Sequence, residues 1–258
     1  MEFDCELWRT SHKICAEKVR DFCMLYNDKD SVKCNSTLCV INNAMQDIQL
    51  YFENNKILSA ELCFLIRNVD VIVTGILDIN KLLLGIGLNS IEKAIEKCFT
   101  NKKIICEFRT LRSQILAHPV DTKYINDRRE NEIVYLEDFR PYDSQIDSFL
   151  VKTKCDYVIK KCRPESDRSY YEGLSIEDAI VPVIDVIIKS IELLSDNIEK
   201  QINSKRDALL EHSLCLEKDT IGNYIMSLGE ELKKRYPLAV RNIEYMSGEK
   251  RYYSIVHQ

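Results

Sequence analysis

Between residues 180 and 202 the chain places Ile180, Ile184, Ile187, Ile191, Leu194, Ile198 and Ile202 at steps of four and three. A helix turning once every 3.6 residues brings all of them onto one side, whereas a strand would scatter them over both faces. The seam covers about three heptads and requires apolar partners of comparable length. Its segment opens at Ser175, where Asp178 completes a capping box, and is expected to reach Glu211. Pro182 falls in the second turn and is expected to kink it.

Partners of that length are present upstream. Seven glycines and five prolines in 258 residues leave few turn builders, so long helices with short polar connections are favoured. The periodicity predicts helices from Phe3 to Tyr26 and from Ser31 to Glu53, the latter through Leu38, Ile41, Met45, Ile48 and Tyr51. A third runs from Ser59 through Leu62, Leu65, Ile66, Val69, Ile72, Val73 and Ile76 to Leu84, ended by Gly85 and Gly87. Its polar residues Arg67, Asp70, Thr74, Asp78 and Lys81 share one stripe. A fourth opens on Asn89 with Glu92 and extends to Ala117, with a bend around Thr100–Asn101–Lys102. A last helix starts at Asp219 or Thr220 and ends before Pro237.

Between Asp121 and Asp167 the texture changes. IVYLEDF and DYVIKKC read as two short strands, a hairpin-like insertion or flap over residues 125–170. The reading is therefore all-α: one helical domain over 1–258, with that insertion and a C-terminal helical extension over 215–258.

Composition excludes several function classes. The net charge of −5 offers no global basic field, so any nucleic-acid site is a local patch. No apolar run is long enough to span a membrane, and the acidic, mixed start MEFDCELWRTSHK is unlike a signal peptide, so a cytoplasmic protein is expected. The eleven cysteines include no pair at zinc-knuckle spacing, and most of them read as small buried hydrophobes of a reducing compartment. Glycine-rich phosphate loops, HExxH and GxSxG patterns are absent, and no metal or cofactor is expected.

The residues that carry chemistry lie in FRTLRSQILAHPVDT, positions 108–122. With Arg112 at zero on a helical wheel, Ile105 and Leu116 lie about 20° and 40° to one side, and Phe108 and Ile115 about 40° and 60° to the other. The arginine is thus expected near the middle of an apolar arc. A guanidinium keeps its proton there and needs an anionic partner or a wet cleft. Asp70, in RNVDVIV, is the candidate partner within one subunit. His118 comes six residues later, where the helix ends and Pro119 turns the chain outward, a place where an imidazole can titrate and move protons. The two α-carbons stand about 9 Å apart along the axis, too far to converge readily on one phosphate. Two copies of the helix would pool both pairs in one cleft.

An arginine followed by a polar residue, then a histidine after four to six positions near the end of a late helix, resembles the signature of the HEPN superfamily. Arg112, Ser113 and His118 carry the likeness, over about residues 1–124 and the helix from 175. It implies a metal-independent endoribonuclease working as a homodimer, of the kind used as toxins or in antiphage defence, sometimes held by an antitoxin or regulatory partner. His118 would move protons and Arg112 would stabilise phosphate charge, with Ser113 and Asp70 in support. The chain departs from the pattern in Ser113, where many members carry Asn or Asp, and in Val120, where some carry a tyrosine.

RNA contacts are expected from Arg109, Lys123, Lys160 and Lys161, within a wider set that includes Arg128, Arg129, Lys152, Lys154, Arg163 and Arg168. Tyr157, Tyr170 and Tyr171 are available there for stacking. The alternative is a non-catalytic helical interaction or regulatory module of a defence system, with Arg112 salt-bridged inside one subunit.

Overall fold

A computed structural model describes residues 5–26, 30–54, 58–86, 90–116, 123–125, 131–133, 135–142, 155–163, 168–211, 220–235, 245–247 and 250–252. The fold is all-α, carried by α1 (Cys5–Tyr26), α2 (Ser31–Asn54), α3 (Ser59–Leu84), α4 (Ile91–Cys98), α5 (Lys102–Leu116), α6 (Ile176–Ala179), α7 (Val181–Leu210) and α8 (Ile221–Arg235). The strands are β1 (Lys123–Ile125), β2 (Asn131–Ile133), β3 (Tyr135–Pro141), β4 (Tyr157–Arg163), β5 (Arg168–Leu174), β6 (Tyr245–Ser247) and β7 (Lys250–Tyr252).

The seam that opened the sequence is the spine of the core. All of its isoleucines and Leu194 are buried. Its neighbour is α1, held in register by bonds seven residues apart on both helices. The Ser11 hydroxyl donates to Glu192 at 3.0 Å, and Lys18 meets Glu199 at 2.6 Å. Both numbers rise together, so α1 and α7 run parallel. Farther along, Tyr26 donates to the Gln201 carbonyl and the Lys205 ammonium sits 5.6 Å over the Tyr26 ring. Helices α2 and α3 form an antiparallel hairpin, and α3 packs on α7 and α5. Every apolar position predicted for α3 from Leu62 to Ile76 is buried, while Arg67, Thr74, Asp78 and Lys81 of its polar stripe face out.

Three expectations need correction. The fourth helix is two helices: Phe99 is extended, the Thr100 N–H donates to Ser190 Oγ at 3.3 Å, and Asn101 Oδ1 accepts the Ile104 N–H at 3.2 Å. An asparagine that caps a new helix ends any continuity through it. Pro182 does not kink a helix. The capping hydroxyl of Ser175, accepting from Asp178 N–H at 3.2 Å, starts the one-turn α6, and the chain restarts as α7 with the proline in its first turn. There the missing N–H leaves no helical bond unmade. The insertion is larger than a hairpin. β3, β4 and β5 form an antiparallel sheet in that order, and β1 pairs with β2 ahead of it.

Candidate functional site

Helix α5 owes its start to Asn101 and its seat to Ile105, Phe108 and Ile115, which are buried against the bundle. Arg112 lies on the flank of that face. Its side chain is 38% exposed, and its Nε donates to Asp70 Oδ2 at 3.1 Å; the Asp70 side chain is 18% exposed. The wheel places the α-carbon on the apolar arc, and the long side chain carries the charge outward to the α3–α5 seam. Asp70 is the member of the α3 polar stripe that is turned into this contact. The bond uses only Nε. Among the described residues, neither terminal Nη group makes a hydrogen bond, so both Nη groups of the guanidinium fork remain for an anion.

Ser113 and Arg109 are half-buried on the same helix. His118 lies outside the described residues, as do Pro119, Val120, Arg128, Arg129, Lys152 and Lys154. Strand β3 touches both α3 and α5, which brings the edge of the three-stranded sheet next to the helices that carry Asp70 and Arg112. In that sheet Lys160 stands opposite Asp138 on one side and Tyr171 on the other, and Tyr171 is exposed. Lys161 is the next residue of β4, and Lys123 begins β1.

Tyr157 does not belong to an RNA-stacking surface. It is fully buried, donates its hydroxyl to the Leu58 carbonyl at 3.2 Å and accepts one from Tyr51 at 3.3 Å. Burial pushes both phenols up from their ordinary range, so both stay neutral. It is a bolt between sheet and bundle. Gln114, which the sequence pattern did not single out, is buried two residues beyond Arg112 with its Nε2 lacking a partner among the described residues. A glutamine in an amphipathic helix looks like surface, and no spacing rule would have marked it.

No protein-family model matches the chain, and searches of characterised proteins and of solved structures return no match.

Among the described residues no helix is long and apolar enough to cross a membrane, and no group of three or more His, Cys, Asp or Glu is gathered as a metal site would require. What the α3–α5 seam offers is a half-exposed guanidinium oriented by one carboxylate.

Proposed function

We propose that the chain is a HEPN-type endoribonuclease that cleaves RNA without a metal, in a site shared by two copies. The observation that supports this most is the way Asp70 holds Arg112. The carboxylate fixes the guanidinium through Nε and leaves both Nη groups for the oxygens of a phosphate, the geometry that suits charge stabilisation in a phosphoryl transition state. In the reaction the ribose 2′-oxygen bonds to the adjacent phosphorus and the bond to the 5′-oxygen breaks. The proton leaves the 2′-hydroxyl and is delivered to the 5′-oxygen, with His118 as the carrier. Lys160 and Tyr171 would hold the strand beside the seam.

A second reading draws on the same pair. An arginine that already has its carboxylate within one subunit fits a non-catalytic interaction module equally well. The two part in one experiment. Incubation with RNA in EDTA should give ends with a 2′,3′-cyclic phosphate, and DNA should remain intact. Arg112→Ala and His118→Ala should each abolish cleavage while circular dichroism stays unchanged. Intact RNA in the wild-type reaction decides for the second reading, and full activity in the His118 variant overturns the mechanism proposed for His118.

A further inference from the structure

The direction of α5 relative to α3 follows from a chain of contacts across the bundle. Thr100, just ahead of α5, is tied to Ser190 of α7. The Ser11–Glu192 bond carries that level to Arg9 of α1, and the contact of His12 with the Leu38 carbonyl carries it to Ile41 of α2. Ile41 in turn faces Gly75 of α3. Helix α5 thus begins near the level of Gly75 and reaches that of Asp70 at Arg112. It runs antiparallel to α3.

In an antiparallel pair, residues turned by the same wheel angle in the same sense lie on the same side of the seam. With Asp70 at zero on α3, Arg67 and Thr74 lie at about +60° and +40°. With Arg112 at zero on α5, Arg109 lies at about +60° and Ser113 at about +100°. Val69, Val73 and Leu77 of α3 and Phe108 and Ile115 of α5 fall on the negative side, and all of them are buried. One side of the seam is therefore core and the other is open. Arg67, which is exposed, and Arg109, which is half-buried, share the open side with the Arg112 guanidinium.

The antiparallel run also sets their order. Arg67 stands about 4.5 Å from the level of Asp70, towards the end of α5, and Arg109 about 4.5 Å from Arg112 the other way. Among the described residues neither Arg67 nor Arg109 makes an ion pair. Beyond Arg109 the sign changes, with Asp78 next on the α3 stripe and Glu92 of α4 near Cys106, one turn back on α5. In a chain of net charge −5, this is a local basic track about 9 Å long with one carboxylate inside it. Stacked nucleotides set the phosphates of a strand about 3.4 Å apart along its axis, and farther when the strand is drawn out, so the track meets two or three in succession. Evenly stepped guanidinium groups suit such a repeating anion, because each fork takes one phosphate.

We propose that a single nucleic-acid strand lies along the open side of the α3–α5 seam, with one phosphate on Arg112 and its neighbours on Arg67 and Arg109. This deepens the ribonuclease reading and rests on it for the strand being RNA. The contacts themselves need only the phosphates, so binding and cleavage are read apart.

The test follows binding of a labelled deoxythymidine oligonucleotide to the full chain by fluorescence anisotropy as salt is raised. That strand lacks the 2′-hydroxyl and stays whole. Arg67→Gln should weaken binding about three- to tenfold at low salt. It should also flatten the dependence of log affinity on log salt by about 0.7, the share of one phosphate on a single strand. Arg67→Lys should keep the slope, because charge sets it. Arg20→Gln removes the same charge from an exposed site on α1 and should change neither quantity. Circular dichroism checks that each variant is folded. No binding by wild type, or Arg67→Gln and Arg20→Gln variants that bind alike, overturns the track. Cleavage of RNA in EDTA is scored separately. A protein that passes the binding test and leaves RNA whole loses the nuclease reading and keeps the track. One that cuts RNA, with an Arg67→Gln variant that binds like wild type, loses the track and keeps the nuclease reading.

Discussion

Arg112 and His12 show how one side chain is read through what surrounds it. For Arg112 the wheel supplied the oddity and named Asp70 as its partner, and the 3.1 Å bond joins the two. What the wheel did not supply is depth. At 38% exposure the pair is partly solvated, and such pairs contribute at most about 1 kcal/mol to stability, which makes Arg112→Ala a fair probe of activity rather than of folding. His12 drew no role from the sequence because its neighbours in the chain are polar. Its ring lies 5.5 Å from that of Trp8, its Nε2–H donates to the Leu38 carbonyl, and burial lowers it from its ordinary value of 6.5. The sign follows. As pH falls below 6.5 the unfolded chain takes up a proton before the folded one does, so stability is complete above that pH and is lost as the pH drops through the folded value. Urea midpoints between pH 7 and pH 5 should fall for wild type and stay flatter for His12→Gln. Parallel slopes for the two proteins would remove His12 from the account.

At the scale of the element, long periodic helices were legible and their interruptions less so. The α7 seam and the α3 core follow from period alone, since every apolar residue on the stripe has to be covered. The break at Phe99–Asn101 was visible as a bend. Its sharpness depends on Ser190 of α7 receiving the Thr100 N–H, a partner distant in sequence. Strand β5, RSYYEGL, lacks clean alternation and became a strand by pairing with β4 from Arg163↔Arg168 to Tyr157↔Leu174. The close approach of α3 to α2 also rests on a residue the pattern passes over. A Cβ at Gly75 would lie 2.7 Å from both Cγ1 and Cδ1 of Ile41, which is fully buried and has little room to yield. Gly75→Ala should therefore destabilise, although alanine is the better helix former by about 1 kcal/mol. Overpacking of this kind costs about 1–3 kcal/mol, which leaves a net loss of about 1 kcal/mol. Urea unfolding measures it, and adding Ile41→Val should recover part of the loss. A gain in stability from Gly75→Ala alone would show that α2 and α3 can part without cost.

Across the whole molecule, the decisive question is how the sheet is tied to the helices, because β3 packs on α3 and α5, the two helices that carry Asp70 and Arg112. The bolt is at the start of β4. Tyr157 reaches from β4 into the bundle, donates to the Leu58 carbonyl ahead of α3, and takes the Tyr51 hydroxyl of α2. Next to it Asp156 accepts the Ile176 N–H at 2.7 Å, so the residue before β4 also seats the start of α6. One dipeptide thus fixes the sheet to α2, α3 and the entry to α7. The sequence offered Tyr157 as a surface aromatic among basic residues; only the pairing of three distant segments makes it interior. Tyr157→Phe keeps the ring and its packing but leaves the Leu58 carbonyl and the Tyr51 hydroxyl without that partner, a loss of about 1–2 kcal/mol. If the bolt holds the sheet, hydrogen exchange in the variant should quicken over β4 and β5 while the amides of α3 and α7 remain as slow as in wild type. Equal quickening in all of these elements would mean that sheet and bundle open as one unit, and that the seam at Arg112 is held in place by global folding rather than by this contact.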